Sequence, residues 1–181
     1  AAVDSATTQG AVIEVQGLNS SWDVVTQTKA LDGTNSTTEV VLATPLIRCF
    51  RMKVLDAATM DQDIWIGDDD FLVAAAKAII TAGTNQTQMA IYTIPAGKIG
   101  YVTNYYAHVN PGTNLDPTSN PVRLWAQDNE SGYAPQLKHV QGITAGNFQH
   151  FFDPYYRFTE KTDIYITAQP VGKAADVSAG F

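Results

Sequence analysis

The sequence predicts an all-β protein, built either as one jelly-roll-like antiparallel β-sandwich or as two small β-sandwiches in tandem. Charged residues make up only 16% of the 181 residues, below the roughly 25% that is typical of soluble domains. Uncharged Thr, Asn, Gln, Ser and Gly take their place, and Thr and aromatic side chains favour strands. Short runs of alternating apolar and polar residues also recur between turn-forming residues, which is typical of sandwiches and barrels.

Four runs in the first half predict strands, and the third of them changes phase. They cover residues 12–16, 22–31, 46–55 and 64–66. In the first run, Ile13 and Val15 share one face, while Glu14 and Gln16 share the other. In the run from Leu46 to Leu55, the apolar side chains switch faces midway. Such a switch requires a bulge or burial on both faces.

The sequence from Asp68 to Ala82 is compatible with two secondary structures. Asp68–Asp70 can cap a helix, Ala74–Ala78 has high helix propensity, and Gly83 can end a helix. The neighbouring strands favour an extended or irregular segment instead, ending in a strand near residues 79–80. We expect the extended form and keep a short helix as the alternative.

The second half predicts a hairpin followed by further short strands. Met89–Ile94 and Ile99–Val109 are strand-like runs joined by the tight-turn sequence Pro95–Lys98. The further runs cover residues 122–127, 137–140, 148–152, 164–167 and 177–181. A tandem arrangement would divide the chain into halves at 1–82 and 83–181, with the boundary near Gly83–Thr87. Otherwise the halves form one continuous domain.

The composition of the chain disfavours a nucleic-acid partner and a membrane-spanning segment. The net charge is -7, from 11 basic and 18 acidic residues, whereas a nucleic-acid binder needs a basic stripe. No run approaches the roughly 18 apolar residues of a membrane span, and residues 1–10 lack the features of a signal peptide. We therefore expect no nucleic-acid partner and no membrane insertion.

The one cysteine, Cys49, lies in an apolar run and is expected to be a small buried hydrophobe.

Motifs for catalysis are missing from the sequence. The three histidines have no metal-ligand spacing, and neither a Gly-x-Ser-x-Gly motif nor a phosphate-binding glycine loop occurs. We therefore predict no enzymatic activity and no cofactor, with a small glycan-cleaving enzyme that uses two acids as a rival hypothesis.

An acidic group is the best candidate for a metal site, because clustered carboxylates can bind calcium. It comprises Asp61, Asp63, Asp68, Asp69 and Asp70. Its spacing does not match the EF-hand pattern, so a solvated acidic turn is the favoured interpretation.

Two pairs of adjacent tyrosines predict an interface. Tyr105–Tyr106 and Tyr155–Tyr156 lie on predicted strands, where neighbouring side chains point to opposite faces. Both faces therefore carry large rings, which predicts a second sheet on one side and a subunit interface or ligand surface on the other. We expect a homo-oligomer, with a trimer favoured, since closed symmetry also covers edge strands.

The loop from Asn110 to Pro121 is the predicted recognition loop. Its three prolines limit chain freedom, which reduces the entropy lost on binding. Asn114, Asp116 and Asn120 are candidates for hydrogen bonds to sugar hydroxyls or to a neighbouring protein. A plain solvent-exposed connection is the alternative.

Several segments together resemble a group of tailed-phage proteins common in marine viral genomes, which are mostly described only as hypothetical or structural. The segments are residues 10–19, 22, 31–34, 82–87, 89–97, 158–164 and 175–181. The resemblance spans almost the whole chain. It implies a non-enzymatic structural protein of the virion, on the capsid exterior as a decoration or head fibre, or in a tail appendage. Capsid-shell or appendage proteins would be its partners, and a module that binds a host glycan or receptor is the alternative.

Overall fold

The chain folds into antiparallel β-sheets, as a computed structural model shows. The structure describes residues 2–3, 10–31, 39–55, 60, 62–68, 76–110, 119–169, 171 and 175–181. These ranges contain fourteen strands and no helix, so the all-β prediction is confirmed. The chain divides into two compact units, Ala1–Met89 and Ala90–Phe181. No helix among the described residues is long and apolar enough to span a membrane.

The first unit contains two sheets. Its strands are β1 (Ala2–Val3), β2 (Val12–Leu18), β3 (Val24–Ala30), β4 (Glu39–Val40), β5 (Arg48–Val54), β6 (Ile64–Gly67) and β7 (Ala76–Ile80). One sheet has the order β3-β2-β5, and the other has the order β4-β1-β6-β7. β7 includes the strand predicted near residues 79–80. Residues 76–78, which the alternative placed in a helix, are extended, and residues 69–75 lie outside the described residues.

Both sheets of the first unit contribute to one buried apolar cluster. Ile13 of β2, Met52 of β5, Ile64 of β6 and Ile80 of β7 are fully buried in it. Burying a side chain of this size stabilises the fold by about 1.5–3 kcal/mol. Cys49 packs partly buried against the cluster, and burial raises the pKa of its thiol to about 11.

The predicted phase change in the third run is a β-bulge. Gln16 pairs with Arg51, but the next residue, Gly17, pairs with Cys49, which leaves Phe50 as the extra residue of β5. The bulge lets the apolar side chains before and after Phe50 occupy different faces.

The second unit also contains two sheets. Its strands are β8 (Ile91–Thr93), β9 (Gly100–Asn110), β10 (Asn120–Asp128), β11 (Gln136–Ile143), β12 (Gly146–Phe158), β13 (Thr162–Ala168) and β14 (Asp176–Gly180). The sheet orders are β11-β10-β13-β8 and β12-β9-β14. Pairing is nested: β10 pairs with β11, β9 with β12 around them, and β8 with β13 around those. Successive nested pairs alternate between the sheets.

The predicted hairpin of β8 and β9 is wrong. The turn forms, with the Lys98 amide donating to the Pro95 carbonyl at 3.2 Å, but it carries the chain from one sheet to the other. β8 pairs with β13 instead. Ile94, just after β8, accepts from the Lys161 amide at 2.7 Å and donates to the Thr162 carbonyl at 2.9 Å. These bonds occupy the backbone groups that a hairpin would need.

A second apolar cluster takes side chains from both sheets of this unit. Tyr105 and Val109 of β9, Val122 and Leu124 of β10, and Ile164 of β13 are buried in it. The outward residues of the same strands form the two surfaces described next.

Candidate functional site

The structure places Tyr105 and Tyr106 on opposite faces of β9, as strand geometry requires, whereas Tyr155 and Tyr156 are both exposed. Tyr106 is 50% exposed and Tyr155 is 57% exposed, whereas Tyr105 is fully buried. Tyr105 therefore cannot act at a surface, and its assignment as a recognition residue is corrected. Tyr156 lies beside Phe152, with ring centroids 4.6 Å apart, and its hydroxyl donates to the Lys138 carbonyl at 3.3 Å.

Tyr105 is instead the buried centre of a group of partly buried aromatic rings. Its hydroxyl forms a hydrogen bond of 2.5 Å with Nδ1 of His139, which lies on the other sheet of the unit. Its ring stacks with Phe152 at 6.0 Å and meets Phe148 edge-on at 5.4 Å. Burial raises the pKa of Tyr105 to about 12. The hydroxyl therefore stays protonated at physiological pH and links the two sheets.

His139 and His150 stack closely, with ring centroids 4.2 Å apart and planes 21° from parallel. Burial, and secondarily the charge of His150, lowers the pKa of His139. The neutral imidazole is thus favoured in the fold. Sequence spacing gave no signal of this pair, because it depends on how β11 and β12 meet.

The described acidic candidates have local structural roles. Asp63 accepts a hydrogen bond from the Ala82 amide at 2.8 Å, and Asp68 forms an ion pair with Lys77 at 3.1 Å. Asp61, Asp69 and Asp70 lie outside the described residues. Among the residues that the structure does describe, no three metal-binding side chains converge.

The predicted recognition loop is described only at its ends. Asn120 is fully buried in β10, and its side-chain amide donates to the Ile143 carbonyl at 3.2 Å. It is a structural residue, which corrects its assignment to recognition. Asn114 and Asp116 lie outside the described residues.

The outer surface of sheet β12-β9-β14 carries four exposed rings, here called the aromatic face. Tyr101, Tyr106, Phe151 and Tyr155 are 55%, 50%, 68% and 57% exposed. Tyr101 and Tyr155 meet edge-to-face at 5.6 Å. The ring of Tyr106 lies across β14 at Gly180, where an added Cβ would come within 2.6 Å of its hydroxyl. Glycine at this position therefore lets the ring lie low on the sheet.

Polar side chains lie beside Tyr106 on this face. His108 lies between Asn147 and Ser178 in one row, and Tyr106 lies beside Gln149 in the next. These two rows contain no carboxylate, lysine or arginine. Exposed apolar groups rimmed by such polar residues are typical of interaction surfaces.

The outer surface of the other sheet carries a shallow groove, here called the Trp125 groove, of about 560 Å³. Its lining residues are Arg123, Trp125, Pro135, Tyr165, Thr167, Ala168 and Gln169. Trp125 and Tyr165 are direct cross-strand neighbours whose rings stack at 6.5 Å, with planes 16° apart. The indole Nε1 donates to the Thr167 hydroxyl at 2.8 Å, and Arg123 reaches Gln169 at 3.4 Å.

Sequence reasoning missed this groove. Alternation in the runs 122–127 and 164–167 does place Arg123, Tyr165 and Thr167 outward. The runs lie about forty residues apart, however, and nothing local showed that they pair.

Comparison of the chain with protein-family models, with curated proteins and with solved structures found no significant match.

Proposed function

We propose that this chain is a non-enzymatic structural protein of a tailed-phage virion, located on the capsid exterior or in a tail appendage. The resemblance noted in the sequence supports the virion assignment. We further propose that each unit is a small β-sandwich and that the second is a jelly roll. The nested pairs that alternate between two sheets around a shared core support that topology.

The aromatic face is the observation that carries the proposed structural role. Four large rings on one sheet surface are typical of an interface, where aromatic side chains are enriched. The rows of Tyr106 and His108 contain no carboxylate, so two copies of a chain with net charge -7 can meet at these two rows without opposing acids. We propose that this face joins copies into a homo-oligomer, with a trimer favoured by analogy with phage decorations and fibres.

Sedimentation of the purified chain tests this association. The variants Tyr106→Asp and Phe151→Asp place an unpaired charge on the aromatic face, so they should dissociate the oligomer to monomers. Tyr133→Asp is the matched control, because Tyr133 is 59% exposed but lies in the turn after β10. A wild-type chain that sediments as a monomer at micromolar concentration would refute the proposed interface.

Purified virions test the wider assignment. Mass spectrometry should detect the chain in the particles, and cryo-electron microscopy should place it on the capsid exterior or a tail appendage. Its absence from particles would overturn the structural role.

The alternative is a module that binds a host glycan or receptor. The Trp125 groove favours it, because the groove combines two aromatic rings with a few polar groups, as ligand sites do.

A further inference from the structure

We propose that the Trp125 groove binds a carboxylated sugar, such as a hexuronic acid residue of an acidic polysaccharide. This inference does not depend on the virion role, since it rests on the groove alone. It deepens the glycan-binding alternative by assigning a site and a ligand class.

The floor of the groove is a fixed aromatic platform. Trp125 and Tyr165 lie opposite each other on β10 and β13, and their rings are within 16° of parallel. The hydrogen bond of 2.8 Å from the indole Nε1 to Thr167 holds the tryptophan in place. A platform held in this way loses little side-chain entropy on binding. The flat C–H face of a sugar ring packs well on such a surface, because aromatic faces are electron-rich.

The charge of the groove selects an anion. Arg123 is the one charged residue among those that line it in the described part of the chain. Its contact with Gln169, at 3.4 Å, is long for a hydrogen bond. A guanidinium fork matches the two oxygens of a carboxylate, and this bidentate pair is stronger than a bond to a neutral hydroxyl. The Gln169 amide can then turn to the sugar's hydroxyl groups.

The position of the groove disfavours other polymers. A peptide that adds as a strand needs an open sheet edge, but β10, which carries Arg123 and Trp125, pairs with β11 on one side and with β13 on the other. A nucleic acid needs several cations along its backbone, and this groove supplies one. A single sugar unit with one carboxylate satisfies both the platform and the arginine.

Calorimetric titration of the full chain tests the proposal. The probes are oligomers of galacturonic acid and of glucuronic acid, and N-acetylneuraminic acid, with maltotetraose as the neutral comparison. We expect binding of at least one acidic probe and a clear preference for it over maltotetraose. The variant Arg123→Gln should weaken that binding by about 10- to 100-fold, which is the effect of losing a charged hydrogen bond.

A matched variant separates local recognition from overall charge. Arg157→Gln removes an exposed arginine of β12, on the other sheet, and should leave the affinity unchanged. Trp125→Leu should abolish binding while circular dichroism stays that of a β protein. Any one of three results would overturn the proposal. The first is equal affinity for acidic and neutral probes, and the second is an equal loss of affinity in both arginine variants. The third is no binding of any acidic probe at about 10 mM, a concentration well above a dissociation constant of about 1 mM. Sedimentation and virion composition are separate measurements, so failure here leaves the structural role standing.

Discussion

At the scale of single residues, His139 makes the stability of the second unit depend on pH. Its pKa is lowered in the fold, chiefly by burial, from an ordinary value of 6.5. The unfolded chain therefore binds a proton more readily than the folded chain. The contribution of this residue to stability is fully present above about pH 6.5 and is lost as pH falls toward the lower folded pKa.

We therefore expect the melting temperature to fall on acidification from about pH 7.5 to about pH 5. His139→Phe keeps a flat ring beside His150 and should flatten this part of the profile. Tyr133→Phe, which changes an exposed ring in the loop after β10, should keep the wild-type profile. Thermal unfolding followed by circular dichroism measures both. Identical acid sensitivity in wild type and His139→Phe would refute the role of His139.

Tyr105 gives a second test at this scale. Tyr105→Phe removes the hydroxyl that bonds to His139 but keeps the ring, and should cost about 1 kcal/mol of unfolding free energy. Tyr105→Ala also leaves a cavity and should cost about 3–5 kcal/mol. Tyr101→Phe, on the exposed face, should change stability little. Urea unfolding ranks the three, and a Tyr101→Phe effect as large as that of Tyr105→Phe would contradict this account.

At the scale of elements, the bulge between β2 and β5 depends on Gly17. A Cβ added at Gly17 would overlap the backbone carbonyl oxygen of Arg48, which cannot move without disturbing the pairing. Gly17→Ala should therefore destabilise the first unit by about 1–3 kcal/mol. Gly142→Ala is the control, since a Cβ added at Gly142 would lie 3.1 Å from its nearest neighbour, the side-chain oxygen of Ser119. Equal melting temperatures for the two variants would show that the bulge tolerates a side chain.

Local alternation was sufficient to predict most strands and the change of phase near Phe50, because side-chain direction within a strand depends only on neighbouring residues. It also predicted that one tyrosine of each adjacent pair could reach a surface. Local alternation did not predict which strands pair with each other. The turn Pro95–Lys98 is compatible with a hairpin and with a change of sheet, and the choice depends on the backbone bonds from Ile94 to residues near 161. The Trp125 groove was missed for the same reason.

At the scale of the whole molecule, each unit has its own buried cluster. Leu124→Ala should cost about 2–5 kcal/mol and should speed amide hydrogen exchange across residues 90–181. Ile13→Ala should do the same across residues 1–89. Exchange measured by mass spectrometry separates the two regions. If either variant accelerated exchange equally throughout the chain, the units would unfold as one.

The nested pairing of the second unit also has a consequence for its synthesis. Thr93 of β8 bonds to Asp163 of β13, seventy positions later in the chain. At the usual rate of translation, β8 waits roughly 4–14 s for its partner to be made. The pair β10–β11 is complete at Ile143, twenty positions before Asp163, so the innermost strands can assemble first. A nascent chain that stalls before Asp163 therefore leaves β8 without its partner strand, however long β8 itself has been outside the ribosome.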